Sequence, residues 1–304
     1  MSPVQHGLWI VDKPSGPTSH DIVAGARRQL GTRRVGHAGT LDPMASGVLV
    51  LLIGEATKLS DVATSEDKGY VTEVRFGRGT DSFDAEGQTT VQATLASGWL
   101  DASRLADALE QERQRTEQVP PTVSAVKVAG QRAYRLTRDG RAPELAPRPV
   151  AIHALTLLDW SSEFVQLALS VSKGYYVRSL ARDLGHVLGA PAHLSRLRRV
   201  QSGRFRVEDA CAWPPASDPR VIPLRDALPR LLPTARLTAP GVDRARQGKA
   251  LSVHDFLDPP APEAANAGVT LAWTDAEGTP VALGRRDGDT YRVRRGFAAD
   301  ALLA

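Results

Sequence analysis

Apolar positions near the start of the chain follow two different spacings. "GLWIVD" (7–12) is a short unbroken apolar run, which predicts a strand buried on both faces, stopped by Lys13-Pro14. "TSHDIVAGARRQL" then places Ile22, Val23, Ala26 and Leu30 on one helical face. Thr18 or Ser19 can cap that helix, Asp21 sits in its first turn and Gly31 ends it. The run Val48–Ile53 predicts another buried strand, 55–64 a helix, "YVTEVRFG" an alternating strand and 101–112 a second helix. Residues 165–171 read as a strand. After Lys173-Gly174 comes a helix whose Val177, Leu180, Ala181, Leu184, Val187 and Leu188 form a core stripe. Arg178 and Arg182 fall off that stripe, one turn apart, with Arg178 near the helix start beside Tyr175 and Tyr176.

Between these segments the pattern fades. Residues 113–150 are rich in Arg, Gly and Pro without clear period, and read as an insertion that orders on a partner. "WPPASDPR" reads as a linker, and beyond Pro233 come short strand-like pieces, "GKALSV", "VTLAWTD" and "PVALGRRDGDTYRVRRG". Their Gly, Pro and Asp punctuation predicts a small C-terminal β-barrel.

Composition narrows the class. A chain of 304 residues suggests two domains and a core that needs no staple. The single cysteine, Cys211, allows no internal disulfide and no clustered-cysteine metal site; it reads as a small buried hydrophobe in a reducing cytoplasm. "MSPVQHGLWIVDKPSG" lacks the basic and apolar regions of a signal peptide, and "GVLVLLIG" is too short to cross a bilayer, so no membrane association is expected. Net charge is only +4, yet the cations are 32 Arg against 6 Lys. A GC-rich coding bias accounts for the total but not for the clusters "AGQRAYRLTRDGRAPELAPR", "HLSRLRRVQSGRFR" and "RRDGDTYRVRR". Arginine with interleaved Tyr and Phe suits phosphate contact and base stacking, which makes nucleic acid the expected partner.

Several chemistries are absent from the sequence. It has no Walker loop, no dinucleotide fingerprint and no G-x-S-x-G elbow, and its histidines lack metal-ligand spacing. What stands out is "GHAGTLDPMASG" (36–47), where glycines and small residues surround one carboxylate, Asp42, with His37 nearby. On spacing alone Asp42 fits an Asx-type turn, His37 and Arg178 solvated surface, Tyr70 a half-buried strand, Tyr176 helix-start packing and Leu197 core. The alternative is a loop bent so as to present Asp42.

Five blocks, in order, decide between these readings. "LWIVDKPSGPTSHDIV", "RVGHAGTLDPMASGVLVLLIGEATKL", "EDKGYVTEVRFGRGTDSFDAEG", "VPPTVSAVKVAGQRAYRLTRDG" and "LSVSKGYYVRSLARDLGHVLGAPAHLSRLRRVQSGRF" together resemble the TruB-type tRNA pseudouridine synthases over roughly residues 7–210. The resemblance implies an α+β fold: a mixed, largely antiparallel central sheet with flanking helices and a small C-terminal PUA-like β-barrel. It divides the chain into a catalytic domain (1–213) carrying an RNA-gripping insertion at about 80–150, a linker (214–233) and a PUA-like domain (234–304). It implies isomerisation of uridine 55 in the T loop of tRNA, with the T-arm stem-loop as partner.

The residue roles follow from the same resemblance. Asp42 in "GTLDP" matches the catalytic aspartate, Tyr70 in "DKGY" the tyrosine against the target base, and Arg178 in "SKGYYVRS" the arginine pairing with the carboxylate. His37 matches the residue that wedges where the base leaves the loop. Tyr176 and Leu197 match substrate contacts, and Lys13 and Lys58 basic positions near the site; the doubled Tyr175-Tyr176 leaves two tyrosines for one role. The reaction neither oxidises nor transfers a group, so no cofactor or metal is implied, and the expected form is a stand-alone monomer without an obligate protein partner. The rival readings are a subunit of an RNA-guided synthase and a tRNA-binding chaperone in which catalysis is incidental.

Overall fold

The computed structural model describes residues 6–298 apart from 125–126, 129–130, 134–135, 137–140, 142, 217 and 261–267. Much of the first arginine cluster, and with it part of the insertion expected over 113–150, lies outside the described residues. The strands and helices that position the site are β1 (Gly7–Lys13), α1 (Ser19–Leu30), β2 (Val35–Ala38), β3 (Ser46–Ile53), β4 (Lys68–Phe76) and α2 (Ala102–Arg113). After these come β5 (Ile152–Trp160), β6 (Phe164–Val171), α3 (Val177–Leu188) and β7 (Ala192–Ser202). The chain continues with β8 (Cys211–Ala212), β9 (Val221–Pro223) and α4 (Leu224–Leu231).

A mixed sheet with the path β5-β6-β4-β7-β3-β1-β8 forms the centre. Only the β3–β7 and β1–β8 pairings are parallel along it; the others are antiparallel. β1 over Leu8–Val11 and β3 over Val48–Ile53 are apolar without alternation because both their faces are covered. Trp9, Val11, Leu49 and Leu51 face a core built with α1, α2 and α3, while Leu8, Ile10, Val48, Val50 and Leu52 face a second core on the other side. Each fully buried Leu or Ile there contributes roughly 1.5–3 kcal/mol.

Local chemistry sets the helix that precedes the Asp42 loop. Thr18 caps α1, its hydroxyl accepting from the Asp21 N–H at 3.1 Å while Asp21 accepts from the Thr18 N–H at 2.8 Å. Gly31 ends it in the left-handed region at φ 62°. The helix expected over 55–64 is split into a 3-10 turn, Gly54–Leu59, and a short α-helix, Ser60–Ser65.

Other expectations are corrected. Residues 214–233 are no bare linker: β9 pairs with β1, and α4 buries Leu224, Ala227 and Leu228 against Leu8 and Ile10. The prolines start and interrupt these elements without separating them from the sheet. Within 80–150, α2 is core, with Leu105, Ala108 and Leu109 buried beside α3. Val187 is 40% exposed, so the apolar stripe of α3 is narrower than its spacing suggested. Cys211 is only half-buried, on an edge strand.

The C-terminal part contains β10 (Thr234–Arg236), β11 (Leu271–Thr274), β12 (Pro280–Asp287) and β13 (Thr290–Gly296), which form an open four-stranded sheet in that order. Among the described residues no sheet closes into a barrel, which corrects the expected β-barrel. "GKALSV" forms no strand: Leu251 makes an isolated antiparallel bridge to Tyr291, and Val253 opens a 3-10 turn, Val253–Asp255. Phe297, Leu283 and Ala272 join the second core, so this sheet is packed against the central one. No helix among the described residues is long and apolar enough to cross a membrane.

Candidate active site

The loop between β2 and β3 is held by its backbone. Gly39 takes φ +85°, which turns the chain back over β3. Ser19, the first residue of α1, accepts from the Leu41 N–H at 2.9 Å and donates to the Leu41 carbonyl at 3.0 Å. Beyond Asp42, the Ala45 N–H donates to the Asp42 carbonyl at 3.1 Å and the Gly16 N–H to the Pro43 carbonyl at 2.8 Å. Lys13 is fully buried and donates to the carbonyls of Pro14 and Pro17, both at 2.8 Å, and of Pro43 at 3.2 Å. Burial pushes its ammonium down to about 8, against the opposing pull of Glu86 and Asp42. The loop is therefore fixed on both sides of Asp42, leaving that side chain one-third exposed.

Arg178 approaches it from the first turn of α3. Its Nε donates to Asp42 Oδ2 at 2.9 Å and its Nη2 to Oδ1 at 3.3 Å, a bidentate pair between residues 136 positions apart. The remaining donors reach the Ser82 carbonyl at 3.0 Å and the Val123 carbonyl at 2.8 Å. Asp84 Oδ2 lies 3.7 Å from Nε and is itself buried. With 5% exposure Arg178 is a packed part of the cleft, so the solvated-surface reading fails for it. Glu86 stands in the same field; burial and its neighbours Asp84 and Asp42 raise its pKa.

Tyr70 sits on β4, directly opposite Arg199 of β7, and is half-buried. Arg199 is 1% exposed; its Nε donates to the Val48 carbonyl at 2.7 Å and its Nη2 to the Gly39 carbonyl at 3.1 Å, with Tyr70 its neighbour across the strand pair. Leu197, two residues earlier on the same strand face, is buried and lines an open cleft of about 480 Å³ with Ser15, Met44, Thr72 and Ala85.

The two adjacent tyrosines separate cleanly. Tyr175 turns into the interior and donates to Glu112 at 2.8 Å; burial pushes its phenol well above the usual value. Tyr176 caps α3, packs on Ala133 and Leu145, and feels the charges of Arg178 and Asp42, so it is the tyrosine on the Asp42 side. His37 lies on β2 opposite Leu51, edge-on to His20 at 5.6 Å between ring centroids.

Lys58 is elsewhere. Its ammonium donates to Glu55 and to the Gly296 carbonyl, both at 2.6 Å, and lies over Phe297, so it joins the C-terminal sheet to the central one. The structure thus gathers Asp42, Arg178 and Lys13, sets Tyr70 beside Arg199 and Tyr176 at the start of the helix that carries Arg178, places Leu197 in the neighbouring cleft, and leaves Lys58 out.

Two buried charged residues of this cluster, Arg199 and Asp84, are not singled out by the sequence. Arg199 falls within an arginine cluster that suggests phosphate binding, yet Leu197 as a core residue predicts that position 199 shares its buried face. Asp84 carries no signal beyond its place among glycines. Among the described residues, the aromatics interleaved with arginine are core, not stacking platforms: Phe205 is 2% and Tyr291 6% exposed.

Asp42, clamped by the buried Arg178, thus stands beside a mixed sheet with flanking helices. The chain superposes with a TM-score of 0.73 on the structure titled "Crystal Structure of a Cbf5-Nop10-Gar1 Complex", covering 98% of this chain and 87% of that one at 24% identity. At the sequence level, residues 27–177 match the TruB family pseudouridylate synthase N-terminal domain and residues 178–214 the tRNA pseudouridylate synthase B C-terminal domain. The protein named tRNA pseudouridine synthase B of Mycobacterium bovis is 40% identical over 298 residues, 96% of both chains. Its namesake in Mycobacterium avium is 49% identical over 214 residues, covering 69% of this chain and 68% of that one. The chain belongs to the TruB family of pseudouridylate synthases.

Proposed function

We propose that this chain isomerises uridine 55 to pseudouridine in the T loop of tRNA, in the cytoplasm and without a guide RNA or protein partner. The observation that carries the chemistry is the bidentate Arg178–Asp42 pair at the cleft. Asp42 is the nucleophile. Its carboxylate attacks either C1′ of the ribose or C6 of the base, and the N1–C1′ bond breaks. The uracil turns, C5 bonds to C1′, the bond from the Asp42 oxygen to C1′ or C6 breaks and returns the free carboxylate, the C5 proton leaves and N1 takes up a proton. Atoms balance without an oxidant or an acceptor group.

Arg178 holds the carboxylate in one orientation, since four of its donor contacts are fixed by backbone and side-chain acceptors. Tyr70 offers a stacking face for the extruded base, a contact worth roughly 1–3 kcal/mol, against a cost of a few kcal/mol for unstacking it. Its phenol, with Arg199 beside it, is the group placed to receive the C5 proton. Leu197 and Tyr176 wall the flipped nucleotide, His37 fills the gap it leaves, and Lys13 holds the loop. The C-terminal sheet supplies a second RNA-contacting surface through its exposed arginines.

Tritium release from [5-³H]uridine in a T-arm stem-loop tests this, with no partner, metal or cofactor added. Release by the wild type and none by Asp42→Ala is expected. Binding without release by both proteins would leave an RNA-binding role in place of catalysis.

A further inference from the structure

Arg199 is an expensive residue for what it visibly does. A guanidinium removed from water loses solvation worth several kcal/mol, and ordinary hydrogen-bonded packing is met more cheaply by neutral groups. Yet the groups it donates to are neutral, the Val48 and Gly39 carbonyls, and Tyr70 stands directly opposite it on β4. Those three residues belong to three separate pieces of the site. Gly39 is the hinge of the Asp42 loop, Val48 lies in the strand that follows the loop, and Tyr70 stands on β4, which reaches the loop only through β7.

The backbone is shaped around the same residue. β3 passes so close to β7 that a Cβ on Gly47 would lie 2.1 Å from the Arg199 carbonyl oxygen, and Gly47 takes φ +104°. β7 is parallel to β3 at this point and antiparallel to β4, so Arg199 is the position where the nucleophile loop and the Tyr70 strand meet.

We propose that Arg199 is a positioning residue of the active site, whose guanidinium locks the Asp42 loop and the Tyr70 phenol into one frame for the deprotonation of C5. This rests on the reading of Asp42 and Tyr70 as the reacting pair. Lysine at 199 keeps the charge but presents a single ammonium, which cannot serve the two carbonyls and the phenol in the planar geometry of the guanidinium.

The test is Arg199→Lys, assayed on a T-arm stem-loop carrying either protium or deuterium at C5 of the target uridine. The expected result is a kcat lower by about tenfold or more, a KM within about threefold of wild type, and an H/D effect on kcat larger than in wild type. A slower enzyme whose isotope effect is unchanged or smaller confines Arg199 to holding the loop and overturns the proposal. Wild-type protein that releases no tritium overturns the functional reading and this proposal together, whereas wild-type release with an unmoved isotope effect in the variant overturns this proposal alone.

A melting curve checks that the variant folds. Should it not, ¹⁵N-arginine spectra of wild type and Tyr70→Phe read the contact from the other side. The Arg199 Nη–H resonances are expected to shift when the phenol oxygen is removed, and unmoved resonances count against the proposal.

Discussion

Arginines in the cleft and arginines on the C-terminal sheet are the same residue in two different uses. Arg178 and Arg199 are 5% and 1% exposed, and their guanidinium groups are occupied by carbonyls and Asp42. Arg286, Arg294 and Arg295 on β12 and β13 are exposed, and the exposed Arg292 pairs only with the equally exposed Asp287. Inside, the planar fork ties several chain segments to one another and is closed off from solvent. Outside, the charge stays hydrated and available. A count of arginines merges the two, although one set builds the site and the other faces the solvent.

The largest effect that would break this contrast is on Arg178. Arg178→Met leaves the buried Asp84 without its cation and Asp42 without its clamp. Breaking a buried pair costs about 3–5 kcal/mol, and the partial exposure of Asp42 places this case toward the lower end. Misaiming the nucleophile is expected to lower kcat by about a hundredfold beyond any loss of folded protein. Urea unfolding and single-turnover rates on folded protein separate the two. A stable, active variant would mean that the interior arginines are as dispensable as surface ones.

Backbone substitutions come next in size. Gly47→Ala places a Cβ against the Arg199 carbonyl at a positive φ, with at least about 1–3 kcal/mol of destabilisation from the backbone strain alone. Gly36→Ala, in the same glycine-rich stretch, meets nothing within 4 Å and is expected to stay within about 0.5 kcal/mol of wild type. Equal melting temperatures for the two variants would show that the close approach of β3 to β7 carries no constraint.

How much of this is legible in the sequence depends on which residues carry a period. β1, β3 and α1 are legible because runs such as Leu8–Val11 and the Thr18–Asp21 cap are local signals. β7 is not: "HLSRLRRVQS" has arginine on both faces, so its strand period is hidden by charge. α4 is hidden by prolines at its edges that end elements without detaching them. The Asp42 loop can be picked out by its glycines, but its role needs Arg178, 136 positions away, and no spacing rule joins residues that only the sheet brings together. Arg199 can be inferred from Leu197 by strand alternation, once the strand itself is seen.

Lys13 extends the interior half of the comparison to pH. Folding lowers its pKa from about 10.5 to about 8, because the buried ammonium is held by carbonyls alone. Between those values the unfolded chain binds more protons than the folded one, so this group makes stability rise with pH there and adds no slope below about 8. Urea midpoints at pH 7.5 and 9.5 should therefore rise more in wild type than in Lys13→Met. Lys68, also lowered to about 8 by burial, contributes the same sign and remains in both proteins, so the difference isolates Lys13. Equal rises would mean that Lys13 keeps its ordinary pKa and is solvated.

The smallest effects belong to the exterior set, and they are the sharpest check on it. Arg294→Gln with Arg295→Gln removes two exposed charges from β13, where each side chain stands in solvent. Stability should change by no more than about 0.5 kcal/mol, and kcat at saturating RNA should not change, because neither residue touches the Asp42 frame. If these arginines meet phosphates, affinity for full-length tRNA falls while the slope of log Kd against log salt drops by about one for each phosphate no longer neutralised. The T-arm stem-loop alone should be affected less, since it presents fewer phosphates beyond the cleft. An unchanged salt slope on full-length tRNA would remove the C-terminal sheet from the RNA interface and leave the cleft as the site of all binding.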